Sequence, residues 1–129
     1  MKYILPISII LSLIHLYISF FVVDECIVNE GIAFGVSIPY VQWVSLLFLV
    51  FLFFLSVKTK SNIKYLLFSI TLLGSVNVFE RFFRGYICDY IRIFNVYVNI
   101  VDVCITILVV LCILICIFRK YGDKDNRGE

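Results

Sequence analysis

The chain has 129 residues, of which 63% are hydrophobic and 16% are charged, with a formal net charge of +2. Soluble domains are about 45–50% apolar and about 25% charged, and a chain this short cannot hide so much apolar surface from water. The composition therefore excludes a disordered chain, a nucleic-acid-binding module and an ordinary cytosolic enzyme. It predicts an integral membrane protein.

Four apolar runs predict four transmembrane helices, at about residues 3–23, 38–57, 63–79 and 96–118. Each run reaches the roughly 17–25 residues that cross a bilayer core, and lipid-exposed segments must be helical because a helix satisfies its own backbone hydrogen bonds. The first run is longer than the roughly 7–15-residue apolar region of a signal peptide, so we expect it to be retained. The expected fold is an all-α membrane protein in which residues 1–118 form a single four-helix domain.

Basic residues set the expected orientation. Eight of the 11 Lys and Arg residues flank the runs on one side of the membrane: Lys2, Lys58, Lys60, Lys64, Arg119, Lys120, Lys124 and Arg127. The positive-inside rule places that side, with both termini, in the cytoplasm. Residues 119–129 are then a cytoplasmic tail, of which residues 121–129 are expected to have no fold of their own. The segment from Glu80 to Tyr97 lies outside, where Gly85 and several tyrosines predict a small β-rich or irregular element at the surface.

Asp102 is the most informative polar residue, because it lies about six residues into an apolar run. An acid there is unfavourable unless it faces a polar cavity or a partner. Asn99 shares its helix face. If the preceding loop folds back, Asp89 meets Asp102, and two close carboxyl groups share one proton. One could then act as general base on water and the other as general acid. Alternatively, Asp102 is a structural group paired to Arg81 or Arg84.

No metal or cofactor site is predicted, since the five cysteines form no CxxC motif and no Cys/His cluster. Cys112 and Cys116 share a helix face and are expected to be small apolar side chains. His15 is the only histidine. We expect it to be hydrogen-bonded to a neighbouring helix; alternatively, it helps to hold the polar floor beneath the aspartates by orienting a support such as Asn99.

Three blocks of sequence resemble the signal peptidase II family, the lipoprotein signal peptidases of bacteria. The family's Asn-x-Gly-x-Ala-Phe follows the first span, and the chain matches it with Asn29, Gly31, Ala33 and Phe34. The family's Asn-x-x-Asp-Arg ends the third span and precedes Gly and Val-x-Asp-Phe-Ile; the chain has Asn77, Glu80, Arg81, Gly85, Asp89, Tyr90 and Ile91. The family's Phe-Asn-x-Ala-Asp-x-x-Ile opens the fourth span, matched by Asn99, Asp102 and Ile105.

The resemblance implies a membrane aspartyl endopeptidase that cleaves the signal peptide from lipid-modified prolipoproteins before the modified cysteine, without metal or cofactor. It implies Asp89 and Asp102 as the catalytic pair. The implied supports around the pair and the substrate are Asn29, Gly31, Ala33, Phe34, Asn77, Arg81 and Asn99. The expected partners are the prolipoprotein substrate and membrane lipids, with no nucleic acid. We expect a monomer in the bacterial cytoplasmic (inner) membrane, with its active site on the outer side.

The chain also departs from the family pattern. The family usually has an Asp and, four residues later, a Lys in the first span, where this chain has His15 and Ser19. Glu80 replaces the acid of the second block, and the outer segments are short. These departures leave an alternative open, a catalytically inactive four-helix binding or assembly protein that retains the fold.

The orientation gives a first testable prediction. A Lys60→Cys variant should react with a membrane-impermeant maleimide only after spheroplasts are permeabilised, since the turn between the second and third spans is expected in the cytoplasm. Phe94→Cys, in the expected outer segment, should react in intact spheroplasts, and the unaltered chain gives the background. Labelling of Lys60→Cys in intact spheroplasts would contradict this topology.

Overall fold

A computed structural model describes residues 2–22, 27–29, 40–84, 87–94 and 96–127. Within these residues the chain forms four α-helices and four short strands, three of which lie between the third and fourth helices. The elements are α1 (Ile4–Tyr17), which continues as a π-helical turn (Ile18–Val22), β1 (Ile27–Asn29), α2 (Val41–Lys58), α3 (Ile63–Arg84), β2 (Ile87–Asp89), β3 (Ile91–Ile93), β4 (Val96–Val98) and α4 (Ile100–Arg127).

The central helix of the bundle is α3, which packs against α1, α2 and α4. It supplies most of the core cluster, which comprises Leu66, Ile70, Leu73, Val76, Val101 and Leu108. The first three follow the three- and four-residue spacing that places side chains on one helix face. Because α3 has neighbours on several sides, polar side chains near its C-terminal end are buried between helices.

The buried face of α1 is polar. Ser8, Ser12, His15 and Ser19 are spaced by four, three and four residues, and all four are buried. The Ser8 and Ser12 hydroxyls donate hydrogen bonds of 2.8 Å to carbonyls one turn earlier in α1, so their burial leaves neither hydroxyl unsatisfied. Small polar side chains of this kind let two helices approach closely in a membrane. This face therefore suits the packing of α1 on α3.

Large apolar side chains cover the outside of the bundle. On α2, Phe48, Phe51 and Phe54 are each more than half exposed, an arrangement that suits contact with lipid. Within the described part of the chain, three helical segments are long and apolar enough to cross a membrane: Ile4–Phe21, Ile63–Arg84 and Ile100–Gly122. The apolar part of α2, Gln42–Lys58, is shorter. The predicted all-α membrane fold is confirmed.

The strands form two antiparallel pairs, β1 with β2 and β3 with β4. In the first pair Ile27 lies opposite Asp89, and in the second Arg92 lies opposite Tyr97. Phe94, at φ 56°, turns the chain between β3 and β4. The predicted small β-rich element between α3 and α4 is thus confirmed. The contribution of β1, from the segment that follows α1, was not predicted.

Helix boundaries differ from the predicted ones in α2, α3 and α4: α2 begins at Val41 rather than at residue 38, and α3 continues to Arg84 rather than ending at residue 79. The fourth helix begins at Ile100 rather than at residue 96, because residues 96–98 form β4. The expectation that residues 121–129 have no fold of their own is wrong as far as Arg127, where α4 ends. Lys and Arg have good helix propensity and interact favourably with the C-terminal end of a helix, which explains why α4 continues through this basic stretch.

Truncation of the core should destabilise the bundle strongly. Leu73 has no exposed surface, so Leu73→Ala should lower the free energy of unfolding by about 2–5 kcal/mol. Leu47, which is 72% exposed on α2, is the matched control, and its replacement by Ala should change stability by less than about 0.5 kcal/mol. Unfolding of the purified protein in detergent micelles measures both. Equal effects of the two substitutions would contradict the central position of α3.

Candidate active site

The C-terminal part of α3 carries polar side chains on two neighbouring faces. Asn77 and Arg81, four residues apart, lie on one face, and Glu80 and Arg84, also four apart, lie on the next. Asn77, Glu80 and Arg81 are buried. The two faces lead to two polar clusters, one around the aspartates and one around His15.

The aspartate cluster comprises Asn77, Arg81, Asp89, Asn99 and Asp102, all of them buried. Asn99 contacts both acids: its Nδ2 donates to Asp89 Oδ1 over 3.1 Å, and its backbone N–H donates to Asp102 Oδ2 over 3.4 Å. Asn77 Nδ2 donates to the other oxygen of Asp102 over 3.2 Å. Asp89, at the end of β2, and Asp102, at the start of α4, therefore both hydrogen bond to Asn99.

Asp102 occupies the first turn of α4, and not a position six residues into a helix, because β4 takes up the start of the apolar run. Asn99 Oδ1 accepts a 2.9 Å hydrogen bond from the Asp102 N–H, while Asp102 Oδ2 accepts from the Asn99 N–H. This reciprocal pair has the geometry of a capping box. A carboxylate in the first turn also interacts favourably with the helix dipole. The same two side chains thus start the helix and orient an acid.

Arg81 supplies positive charge to the aspartate cluster. It is only 6% exposed and interacts electrostatically with Asp102, Asp89 and Glu80. The sequence left open that Asp102 is a structural group paired to an arginine, and Arg81 is the arginine that interacts with it. This interaction does not exclude a catalytic role for Asp102, because Arg81 interacts electrostatically with both aspartates. Arg84 takes another direction, since it donates a 2.8 Å hydrogen bond to the Ser19 hydroxyl.

Two apolar cavities reach Asp102 from different sides of α4. One, of about 400 Å³, lies between α2, α3 and α4 and is lined by Leu49, Ile70 and Val78 together with Arg81. The other, of about 330 Å³, lies between α4 and the β3–β4 hairpin. An acid at the junction of two apolar cavities is accessible to a molecule that carries apolar groups.

Of the residues that the sequence singled out, five come together in this cluster: Asp89, Asp102, Asn77, Arg81 and Asn99. Asn29 ends β1, where it lies opposite Ile87, two residues before Asp89. Gly31, Ala33 and Phe34 lie outside the described residues.

A second cluster was missed by sequence reasoning. This histidine cluster comprises His15, Ser19, Glu80, Arg84 and Tyr90. The Glu80 carboxylate contacts His15 Nε2, accepts from the Ser19 hydroxyl over 3.2 Å, and accepts from the backbone N–H of Cys88 over 3.2 Å. His15 Nδ1 lies 3.0 Å from the Tyr90 hydroxyl. The expectation of a hydrogen bond from His15 to a neighbouring helix is confirmed. The available signal in the sequence was the spacing of His15 and Ser19, which continue the polar face of α1 that begins with Ser8 and Ser12.

The four cysteines among the described residues divide into two kinds. Cys88 in β2 is disulfide-bonded, whereas Cys104, Cys112 and Cys116 in α4 are free. No sequence motif predicted the disulfide. Among the described residues, no three His, Cys, Asp or Glu side chains come close enough to hold a metal ion.

The double role of Asn99 can be separated by two substitutions. Serine is a good N-cap residue but is too short to reach Asp89, whereas alanine provides neither contact. Asn99→Ala should therefore unfold more easily than Asn99→Ser, by about 0.5–2 kcal/mol, in a detergent unfolding assay. Both should lose the link to Asp89. Equal stability of the two variants would show that Asn99 does not cap α4.

Comparison with known proteins places this chain in a family. The family model described as Signal peptidase (SPase) II matches residues 2–118. No curated protein and no solved structure matches the chain. The matched region includes all four helices through Phe118, together with Asp89 and Asp102. The family consists of membrane proteases of lipoprotein processing, and this chain belongs to the signal peptidase II family.

Proposed function

We propose that the chain is an active aspartic endopeptidase that cleaves the signal peptide from lipid-modified prolipoproteins, before the modified cysteine, with Asp89 and Asp102 as its catalytic pair. One observation carries this proposal: the two buried acids, from different elements, hydrogen bond to the same residue, Asn99. Burial of two acids against one side chain is unfavourable unless opposite charge offsets them or they share a proton. Membership of the family supplies the reaction class.

The chemistry follows from two neighbouring carboxyl groups that hold one proton between them. The ionised carboxylate takes a proton from water as the water oxygen attacks the scissile carbonyl carbon. The protonated carboxyl group then gives its proton to the amide nitrogen as the carbon–nitrogen bond breaks. The products are a signal peptide with a new carboxyl end and a lipoprotein with a free amino group on its modified cysteine. The pair ends with one shared proton, and both steps use carboxyl groups of this chain alone.

Polar neighbours support the pair in this proposal. Asn77 and Asn99 orient the acids through the hydrogen bonds described above. Arg81 offsets the negative charge that two acids and a developing oxyanion bring to one buried site. Asn29, Gly31, Ala33 and Phe34 are proposed to meet the substrate, and the pairing of β1 with β2 brings the backbone of Asn29 close to the strand that ends in Asp89.

The cavities suit a substrate with apolar groups on both sides of the scissile bond. The larger cavity, between α2, α3 and α4, is proposed to hold the acyl chains of the modified cysteine. Burial of each CH₂ group of an acyl chain contributes about 0.8 kcal/mol, so such a cavity selects lipid-modified substrates. The smaller cavity offers space to the apolar signal peptide. The exposed apolar surface of the helices supports a site that substrate reaches from within the bilayer.

The proposed setting is the bacterial cytoplasmic membrane, with both termini in the cytoplasm and the site on the outer side. Residues 1–118 would act as one domain and as a monomer. The basic residues that flank the helices support this orientation, since they lie at the end opposite to the aspartate cluster.

Replacement of either acid by its amide should abolish cleavage. Asp89→Asn and Asp102→Asn retain the shape of the side chain but remove a group that exchanges a proton, so turnover should fall by at least about 100-fold. The measurement is cleavage of a lipid-modified prolipoprotein by the purified enzyme in micelles, with and without a chelator, which should have no effect. Helical content by circular dichroism should not change.

The same exchange at Asp123 in the basic C-terminal region provides the control, and it should leave turnover at the wild-type rate. Failure of the wild-type protein to cleave the substrate would favour the inactive binding or assembly protein. Near-wild-type turnover of both Asp89→Asn and Asp102→Asn would disprove the catalytic pair.

A further inference from the structure

We propose that His15, Glu80 and Tyr90 form a positioning unit that fixes Asp89 relative to the start of α4, and that these residues set the rate of turnover without touching the substrate. This inference rests on the proposed function. The three residues come from α1, α3 and the link between β2 and β3, and the first two have no exposed surface.

The unit holds both chain neighbours of Asp89. On one side, the Cys88 N–H donates to Glu80 Oε2 over 3.2 Å. On the other side, the Tyr90 hydroxyl lies 3.0 Å from His15 Nδ1. His15 in turn contacts Glu80 through Nε2, so the two attachments meet in one contact between buried side chains. A short strand end that is held before and after one residue leaves that residue little freedom to move.

The same tyrosine also reaches the helix that carries the second acid. The Ile100 N–H, in the first turn of α4, donates to the Tyr90 hydroxyl oxygen over 3.4 Å. Ile100 stands between Asn99 and Asp102 in the chain. A shift of Tyr90 would therefore change the position of Asp89 and of the α4 start together.

The hydrogen bonds of the unit have a consistent direction. Burial raises the pKa of Tyr90 to about 12, so its phenol keeps its proton at neutral pH. The oxygen accepts from Ile100, which leaves the phenolic hydrogen for His15 Nδ1. His15 Nε2–H then donates to Glu80. The Ser19 hydroxyl accepts from Arg84 and donates to the second oxygen of Glu80, so each of these donors has an acceptor.

Three variants test the unit. Tyr90→Phe removes only the hydroxyl, His15→Ala removes both ring nitrogens, and His15→Gln keeps one donor and one acceptor. We expect kcat for prolipoprotein cleavage to fall about three- to tenfold in the first two, with KM unchanged, and to recover to within about twofold of the wild type in His15→Gln. The double variant His15→Ala with Tyr90→Phe should lose less than the product of the two single losses, because the two substitutions share the contact between His15 Nδ1 and the Tyr90 hydroxyl.

Two controls separate positioning from stability. Ser12→Ala alters the same buried face of α1 at a hydroxyl that bonds only to a carbonyl of α1 in the described contacts, and Tyr97→Phe removes a hydroxyl from β4. Both should cleave at the wild-type rate. Melting temperatures of all variants in micelles are measured alongside.

The outcomes are distinct. Wild-type kcat in Tyr90→Phe and His15→Ala, beside an active wild type, would overturn the positioning unit and leave the proposed function intact. A loss of kcat that follows the loss of melting temperature across all variants, with no rescue by His15→Gln, would make the cluster merely structural and would also overturn the inference. An inactive wild type would overturn the proposed function and this inference with it.

Discussion

A carboxylate without exposed surface needs hydrogen-bond donors, and Glu80 takes its three donors from two separate parts of the chain. The His15 ring and the Ser19 hydroxyl come from the first helix and its π-helical turn, and the Cys88 N–H comes from β2. An unpaired buried charge would be strongly destabilising, so these donors must be in place whenever the bundle is folded. Glu80 thereby joins the helices to the strands.

The position of Glu80 on α3 couples this requirement to the aspartate cluster. Arg81 is the next residue, and Asn77 lies on the neighbouring face of the same turn of α3. When α3 directs Glu80 toward α1, helix geometry directs Asn77 toward α4 and Asp102. Two polar clusters thus share one rigid support, and their relative positions follow from the 100° rotation between successive residues of a helix.

Hydropathy and charge predicted most of the fold, because lipid permits few backbone structures and apolar runs of this length have one solution. The short strands were harder to predict. Val96–Val98 is apolar and continues directly into the apolar run of α4, so its strand could not be separated from the helix by hydropathy. The error in the depth of Asp102 had the same origin. Asn99, three residues before an acid, was the cap signal that places a helix start at Ile100.

The aspartate cluster was predicted in composition but not in geometry. The resemblance named Asp89, Asn99 and Asp102, and their convergence needed the fold of the segment between them. The histidine cluster was harder to predict, because the contact between His15 and Glu80 joins residues that lie 65 positions apart in the chain. No local pattern specifies such a pair. Only the spacing of Ser12, His15 and Ser19 indicated which face of α1 would be buried.

The departures from the family pattern become intelligible once their contacts are known. His15 and Ser19 stand where the family has an acid and a lysine, and Glu80 stands where it has a shorter acid; in this chain the first two both contact the third. Independent loss of function would scatter substitutions through the site, with buried groups left unpaired. Here the three exchanges meet at one carboxylate, and its two oxygens both have partners. The neighbouring cluster keeps Asn77, Arg81, Asp89, Asn99 and Asp102. The exchanges at the histidine cluster therefore leave its buried carboxylate satisfied beside a retained pair of acids, and this supports the proposed catalysis.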